Sequence, residues 1–544
     1  MKGKSDSFFS RKYILRLFYT LRYLKWQQFF FRAYYPFKRL FFRPERISQQ
    51  CLNHSFSNSC IQFPSFSIDQ NLYNTRNNSF VFLNREKSFP ETIDWNFNDF
   101  GLLWSFHLHY LDFLNDQNID ADRRLEILLQ YVQQYNSTYL HCHSYPASLR
   151  IINCIKFLVQ NNIKNEAISK NLFSQASRLY AFPEYEIMAN HLLINGIALV
   201  WAGVYFGCTK FENLGKKIVL QELDIQVLAD GIHFEKSPAY QSLLIKDLLC
   251  ILTFIKDKEI DNQFYKILRS KSQQLLSGLS CLVNSDGAYM NFGDSNQEMS
   301  VLFKELLIVA QNLSLYLNRF RPDKSGFRSI DTGLYHLLFN IGNITAPFQP
   351  GHSHADAFSF CLDAYGKQLI VDRGISTYEY SLLRLEEKST SAHNTICIGG
   401  ANSSDIWSSF RLGKRVKADI FHDKEHLIEV QHDGYVQNFG IIHHRLLDFR
   451  NKSIYICDQL KGWNGQEAYF YLHFHPEVVL ENRGDDWVIS TDKISIQVKS
   501  CDTYIEDYQY CIGFNKTITA KRIVGRVQSS TITTVINFFD GETN

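Results

Sequence analysis

The sequence predicts a two-part body, an α/α toroid followed by an antiparallel β-sandwich, carried behind a basic aromatic arm. Three observations point there. Apolar residues recur at three- and four-residue spacing from about residue 97 to 322. Short apolar and aromatic runs, separated by Gly, Asn and Asp turn signals, fill most of 323–544. The histidine-rich segment Gly351–Phe360, GHSHADAFSF, lies where the first pattern gives way to the second.

Size alone requires more than one core, since 544 residues with 45% apolar content predict two or three domains. Charge divides the chain unevenly. Residues 1–46 hold twelve basic residues against Asp6 and Glu45, a net +10; because the whole chain is +2, the remainder carries −8. A basic, aromatic arm on a mildly acidic body predicts contact with an anionic surface, and a membrane fits better than nucleic acid because the arm is dense in Phe and Leu. Arg16, Arg22 and Lys25 interrupt its apolar stretch, which therefore reads neither as a signal peptide nor as a membrane span. Tyr13–Phe31 has two readings: an interfacial helix with rings in lipid, or a helix packed on the body. The twelve cysteines show no C-x-x-C pair, so reduced thiols and a cytoplasmic, membrane-peripheral location are expected.

Residues 47–96 form a polar, irregular connector expected to dock on the body. Helices are predicted in the 97–322 toroid around Leu125–Tyr135, Ala147–Asn161, His191–Phe206 and Tyr240–Ile255. With no strand-helix-strand alternation, sequential helices predict a layered ring. In the 323–544 sandwich, strands are predicted at Gly333–Asn340, Gln368–Asp372, His426–Gln431, Ile454–Asp458, Ala468–His475, Trp487–Ser490, Ile494–Lys499 and Ser530–Phe539.

The chemistry concentrates in GHSHADAFSF. Alternate residues of an extended strand share a face, so His352, His354 and Asp356 are expected to converge, with Asp372 and His393 following soon after. Imidazole and carboxylate at that spacing suit a metal or proton transfer. The helical half adds Asn190-His191 at the head of an apolar run, DGIHFEKSPAY ending at Tyr240, and DGAYMNFGDSN at Asp286–Asn296, whose acidic and amide groups read first as turn formers. His141-x-His143 has no acidic partner nearby and reads as packing. His443-His444-Arg445 and His473-x-His475 read as strand stabilisers or groove rim. An aromatic content of 15% mildly favours a saccharide ligand, because flat rings stack on sugars.

Taken in order, SYPASLRIIN (Ser144–Asn153), Asn190-His191, the segment ending at Tyr240, NFGDSN, GHSHADAFSF, LIVDRG (Leu369–Gly374), SAHNTI (Ser391–Ile396) and LHFHP (Leu472–Pro476) resemble the heparinase II/III-like polysaccharide lyases and related alginate lyases. The resemblance covers roughly 95–480. It implies a saccharide groove between toroid and sandwich, and β-elimination on an acidic, uronate-containing glycan. Removing the C5 proton beside a carboxylate builds a dianion, so that carboxylate must be neutralised; Asn190 and His191 match the positions that do so. Tyr240 and His352 match the proton-transfer pair. His354, Asp372 and His393 match a structural zinc site, and no organic cofactor is expected. Arg373 and Arg384 flank the cluster and are expected to grip substrate carboxylates. Two other readings stay open: a saccharide-binding or surface-polysaccharide biosynthesis protein that has lost turnover, and a metallohydrolase built on H-x-H.

Overall fold

Apolar residues at helical or alternating spacing must bury the face they share, and the structure shows where each set does so. It is a computed structural model that describes residues 11–43 and 61–539, apart from 141, 260–261, 319–320, 485 and 490–492. The ends of the predicted arm, connector residues 47–60 and His141 lie outside the described residues.

The helical half runs through Leu102–Tyr110, Ala121–Gln134, Ser144–Gln160, Glu166–Ala181, Ala189–Phe206, Thr209–Gln226, Pro238–Glu259, Gln263–Ser280 and Phe303–Asn312. Its starts follow from capping side chains that satisfy orphan N–H groups: Asp120 accepts from Asp122 N at 2.8 Å, Asn165 from Ile168 N at 3.1 Å, and Asn262 from Phe264 N at 2.8 Å. Helices Ala189–Phe206 and Thr209–Gln226 pack backbone to backbone. A Cβ on Gly203 would sit 2.5 Å from Glu212 N, and one on Gly215 would sit 2.7 Å from Gly196 O, so neither site accepts a side chain. Ala189–Phe206 and Pro238–Lys256 are long and apolar enough to cross a membrane, but here they are mostly buried and supply much of the toroid core. A small sheet in the connector, Tyr73–Asn74, Ser79–Phe82 and Arg85–Ser88, caps that core with Phe80 and Phe82.

From Phe327 the described residues are mostly strand and loop, with short helices at Leu382–Glu387, Thr390–Ala392 and Val436–Phe439. One antiparallel sheet orders its eight strands Ala418–Lys424, Leu427–His432, Ile442–Arg450, Ser453–Lys461, Thr531–Phe538, Ile494–Lys499, Asp486–Ile489 and Leu480–Arg483. Two four-stranded sheets face it: Phe327–Asp331, Tyr335–Asn340, Phe360–Ala364 and Lys367–Ile370; and Cys501–Gly513, Lys516–Val527, Ala468–His473 and Ile396–Ile398. A bridge between Ile370 and Phe474 joins the two smaller sheets. Strict alternation of burial along Ile442–Arg450 and Ser453–Lys461 puts one face of the large sheet against Phe339, Phe360 and Phe470. The predicted sequence of toroid and sandwich is thus what the chain forms.

That inward face also carries charge. Arg445 stands opposite Asp458 on the neighbouring strand and binds both carboxylate oxygens, at 2.6 and 2.9 Å, while His443 shares the carboxylate at 2.6 Å. The remaining guanidinium nitrogen donates to Phe358 O, in the histidine-rich segment. Burial works against the ionised Asp458, but Arg445 and His443 outweigh it and hold its pKa down to about 2. His443 and Arg445 therefore brace the sandwich, and His473 is likewise buried, against Asn394.

The arm forms two helices, Arg11–Leu21 and Trp26–Phe41, and both pack on the body. Arg16 grips Asp405 with contacts of 2.8–3.1 Å, and Thr20 donates to Leu412 O at 3.1 Å, on the sandwich side. Gln28 donates to Ile187 O at 3.2 Å, Tyr35 to Pro183 O at 2.5 Å, and Phe31 stacks on Tyr185, on the toroid side.

Candidate active site

The chemistry gathers at the seam between the halves, and three loops build it. The first precedes helix Ala189–Phe206. Met188 and Ala189 both take positive φ, 67° and 53°, a conformation costly for residues with a Cβ, and burial against Phe234, Ala346 and Phe348 holds them there. This turn sets Asn190 and His191 in the first helical turn, half-buried. Burial raises the Tyr145 pKa and the Asn190 amide acts to lower it. His191 lies over the Tyr145 ring, 4.5 Å between centroids, with Nδ1 3.2 Å from Glu184 Oε1. Burial opposes its charge, but Glu184 outweighs burial and raises the His191 pKa. An amide and an imidazolium-prone ring thus sit side by side.

The second loop ends at helix Pro238–Glu259. Ser237 accepts from Tyr240 N at 3.2 Å and caps this helix, so Tyr240 projects from its first turn. Its ring lies against His352 with centroids 4.1 Å apart, and its hydroxyl is 2.9 Å from that of Tyr378. Burial, with Tyr378 and Tyr145 close by, pushes the Tyr240 pKa well above the usual phenol value, so the free protein holds the phenol protonated. Glu235, in the same loop, is buried with no hydrogen bond at Oε2, which lies 3.9 Å from His233 Nδ1; burial raises its pKa, and His352 and His191 act against that rise.

Asp294 anchors the third loop and makes the seam. Its carboxylate is fully buried and takes donors from the opposite half: His352 Nδ1 at 2.8 Å, His354 Nε2 at 2.8 Å and Arg384 at 2.7 Å. Burial would raise its pKa, but Arg384, Lys388 and the two imidazoles hold it well below the carboxylate range. Gly293 lets the backbones meet, since a Cβ there would lie 2.7 Å from His352 O, and Asp294 N donates to that same oxygen at 3.0 Å. With a carboxylate accepting at Nδ1, the His352 proton is assigned there, leaving Nε2 as the free acceptor.

Several expectations change here. His352, His354 and Asp356 do not share a strand face. Residues 351–359 form a loop, turned by the Ser359 N to Asp356 O bond and by Phe358 at φ 66°, and the strand begins only at Phe360. The two histidines converge because Asp294 receives both, whereas Asp356 makes no bond to that carboxylate: burial raises its pKa, against His393 and Lys236, which lower it. DGAYMNFGDSN supplies this central carboxylate as well as a turn. Arg373 and Arg384, expected as substrate clamps, are buried and already engaged, Arg373 with Glu386 at 2.9 Å and Arg384 with Asp294. The network around Asp294 consumes the charge that the sequence offers to a ligand.

His354, Asp372 and His393 lie behind His352. His393 Nδ1 is 2.6 Å from Asp372, and the rings of His354 and His393 are 5.3 Å apart. His354 Nδ1 and His393 Nε2 are buried without a partner, donor atoms of the type zinc takes. Among the described residues, no three His, Cys, Asp or Glu side chains converge as a metal cage. Sequence reasoning missed Tyr378, Glu184 and the role of Asp294; each acts through a partner 7 to 138 residues away, beyond any local pattern.

Known proteins share this build. The family model for the heparinase II/III N-terminus matches residues 75–319, and that for the heparinase II/III-like C-terminal part matches 318–538. Among solved structures, a heparinase III aligns with TM-score 0.66 at 17% identity, covering 91% of this chain and 86% of its own. A second heparinase III gives 0.62 at 14%, covering 89% and 88%. The heparan sulfate lyase HepC from Pedobacter heparinus gives 0.56 at 15%, covering 94% and 88%. These identities speak for the fold. No curated protein matches the chain by sequence.

Proposed function

This chain belongs to the heparinase II/III-like family and is a polysaccharide lyase, and from that premise we propose that it cleaves an acidic, uronate-containing glycan by β-elimination at the toroid–sandwich seam. One observation carries the reading: the Tyr240 phenol and the His352 imidazole, one from each half, meet at 4.1 Å. Asn190 and His191 would neutralise the uronate carboxylate, which lowers the cost of the charge that develops when C5 loses its proton. His352, with Nδ1 tied to Asp294, offers Nε2 as the base. Tyr240, protonated in the free protein, then protonates the departing 4-oxygen. The opposite C5 epimer turns its proton toward the other face and exchanges these roles. Surface-polysaccharide metabolism supplies polymers of this class.

The test is a panel of acidic polysaccharides (heparan sulfate, alginate, hyaluronan, bacterial capsules) followed by ultraviolet absorbance of the unsaturated uronate end. At least one polymer is expected to yield that product. Tight binding across the panel with no absorbance gain would overturn turnover and leave a saccharide-binding protein.

A structural zinc ion belongs to the same proposal. His354, Asp372 and His393 do not converge as a cage as they stand; to hold the ion they would have to close around it, and its positive charge would then brace the loops that carry His352. The two unpartnered imidazole nitrogens support the assignment. Elemental analysis of purified protein is expected to find about one zinc per chain, as this ligand set implies. His393→Ala should lose the metal and lower the melting temperature; metal-free protein that melts as the parent does would remove zinc from the scheme.

A further inference from the structure

Helix Trp26–Phe41 exposes more apolar surface than a helix packed on a globular body normally does. A surface helix normally turns its apolar stripe inward and its polar face to water. Here the body side is mixed: Phe31 and Tyr35 pack on Tyr185 and Phe182, while Gln28, the Tyr35 hydroxyl and the Lys38 ammonium each donate to a backbone carbonyl within residues 181–187. The opposite stripe is left in solvent: Trp26 is 70% exposed, Phe37 67%, Leu40 78% and Phe41 83%, with Phe29 and Phe30 between them. At 100° per residue these positions fall within one arc of about 120°; Arg32 and Arg39 lie beyond its Phe29 edge, where Arg32 donates to Glu186 O at 3.4 Å and Arg39 lies over Phe182. Helix Arg11–Leu21 extends the surface with exposed Ile14, Leu17, Phe18 and Leu21, beside Arg22.

Charge follows the same division. Residues 11–43 contain nine basic residues and no acidic one. A bilayer with anionic headgroups matches both components, since rings dip to the acyl boundary while arginines reach phosphates. The −8 remainder of the chain is repelled by such a surface, which fixes the arm as the contacting side.

We propose that residues 11–43 form a docking surface for an anionic phospholipid bilayer. The surface is rigidly mounted: Arg16 on Asp405 and Tyr35 on Pro183 tie it to both halves, and Arg415 stacks on Tyr23 with 3.8 Å to the ring centroid. Its position matters for the seam. The loop under Trp26–Phe41 includes Glu184, the partner of His191, and Lys25 lies 4.1 Å over Phe348, which packs on Met188 and Ala189. Docking therefore brings the polysaccharide site beside the membrane. Binding to lipid does not depend on turnover, so the two readings fail separately.

The experiment is co-sedimentation of the full chain with vesicles of phosphatidylcholine alone or with about one phosphatidylglycerol in three. Binding is expected to the anionic vesicles only, and to weaken about tenfold or more as salt shortens the screening length. The triple variant Trp26→Ser, Phe37→Ser, Leu40→Ser should bind about tenfold less or worse while melting as the parent does. Arg32→Glu with Arg39→Glu should abolish the preference for anionic lipid. Equal binding by parent and triple variant overturns the proposal. So does a parent that ignores vesicles and elutes as a dimer which the triple variant converts to monomer, because the stripe then belongs to a second copy.

Discussion

Tyr240→Phe is expected to lower kcat on the responsive polymer by roughly two to four orders of magnitude, the usual contribution of a positioned proton donor or acceptor. The substitution removes only the hydroxyl. The ring still packs on His352, so the melting temperature and the affinity for polymer should stay close to those of the parent. Tyr378→Phe is the control for a merely structural phenol. It deletes the 2.9 Å partner of Tyr240 but leaves that group in place, and a loss of about tenfold is expected, the worth of one hydrogen bond. Full activity in the Tyr240 variant would refute the assigned role, and equal losses in both would make the phenols a unit in which neither is the proton donor on its own.

Asp294→Asn is expected to damage both stability and turnover. The amide can still accept from His352, but it cannot balance Arg384, whose guanidinium is fully buried. Removing one member of such a pair costs about 3–5 kcal/mol. Thermal unfolding should show this directly. Turnover should fall by about a hundredfold or more, since the base loses the charge that orients it and stabilises its protonated form. Kinetics measured well below the variant's melting temperature separate the two effects. Normal kcat in a destabilised variant would reduce Asp294 to a structural bridge.

The division into helical and strand halves was legible because it depends on periodicity, a local property: the apolar run after His191 and the alternation along Ile454–Asp458 each declare their own partner face. Tyr240 and His352, singled out from motifs in separate halves, lie together in the structure. What stayed hidden depends on contacts across the seam. H-x-H-x-D has the period of a strand, yet a carboxylate 58 residues upstream makes it a loop. Arg384 looked free for a ligand because its partner is 90 residues away. Tyr378 sits in no pattern at all; only the approach of Tyr240 gives its hydroxyl a purpose.

The strapping of the arm across both halves has a consequence for assembly order. Residues 16 and 20 find their partners 389 and 392 positions later, whereas residues 28 and 35 find theirs after about 150. A ribosome delivers the arm long before either landing site exists, and the sandwich anchor comes last. Through most of synthesis, then, its rings and arginines have no home on the protein, and the strap can close only after the chain beyond residue 412 has emerged.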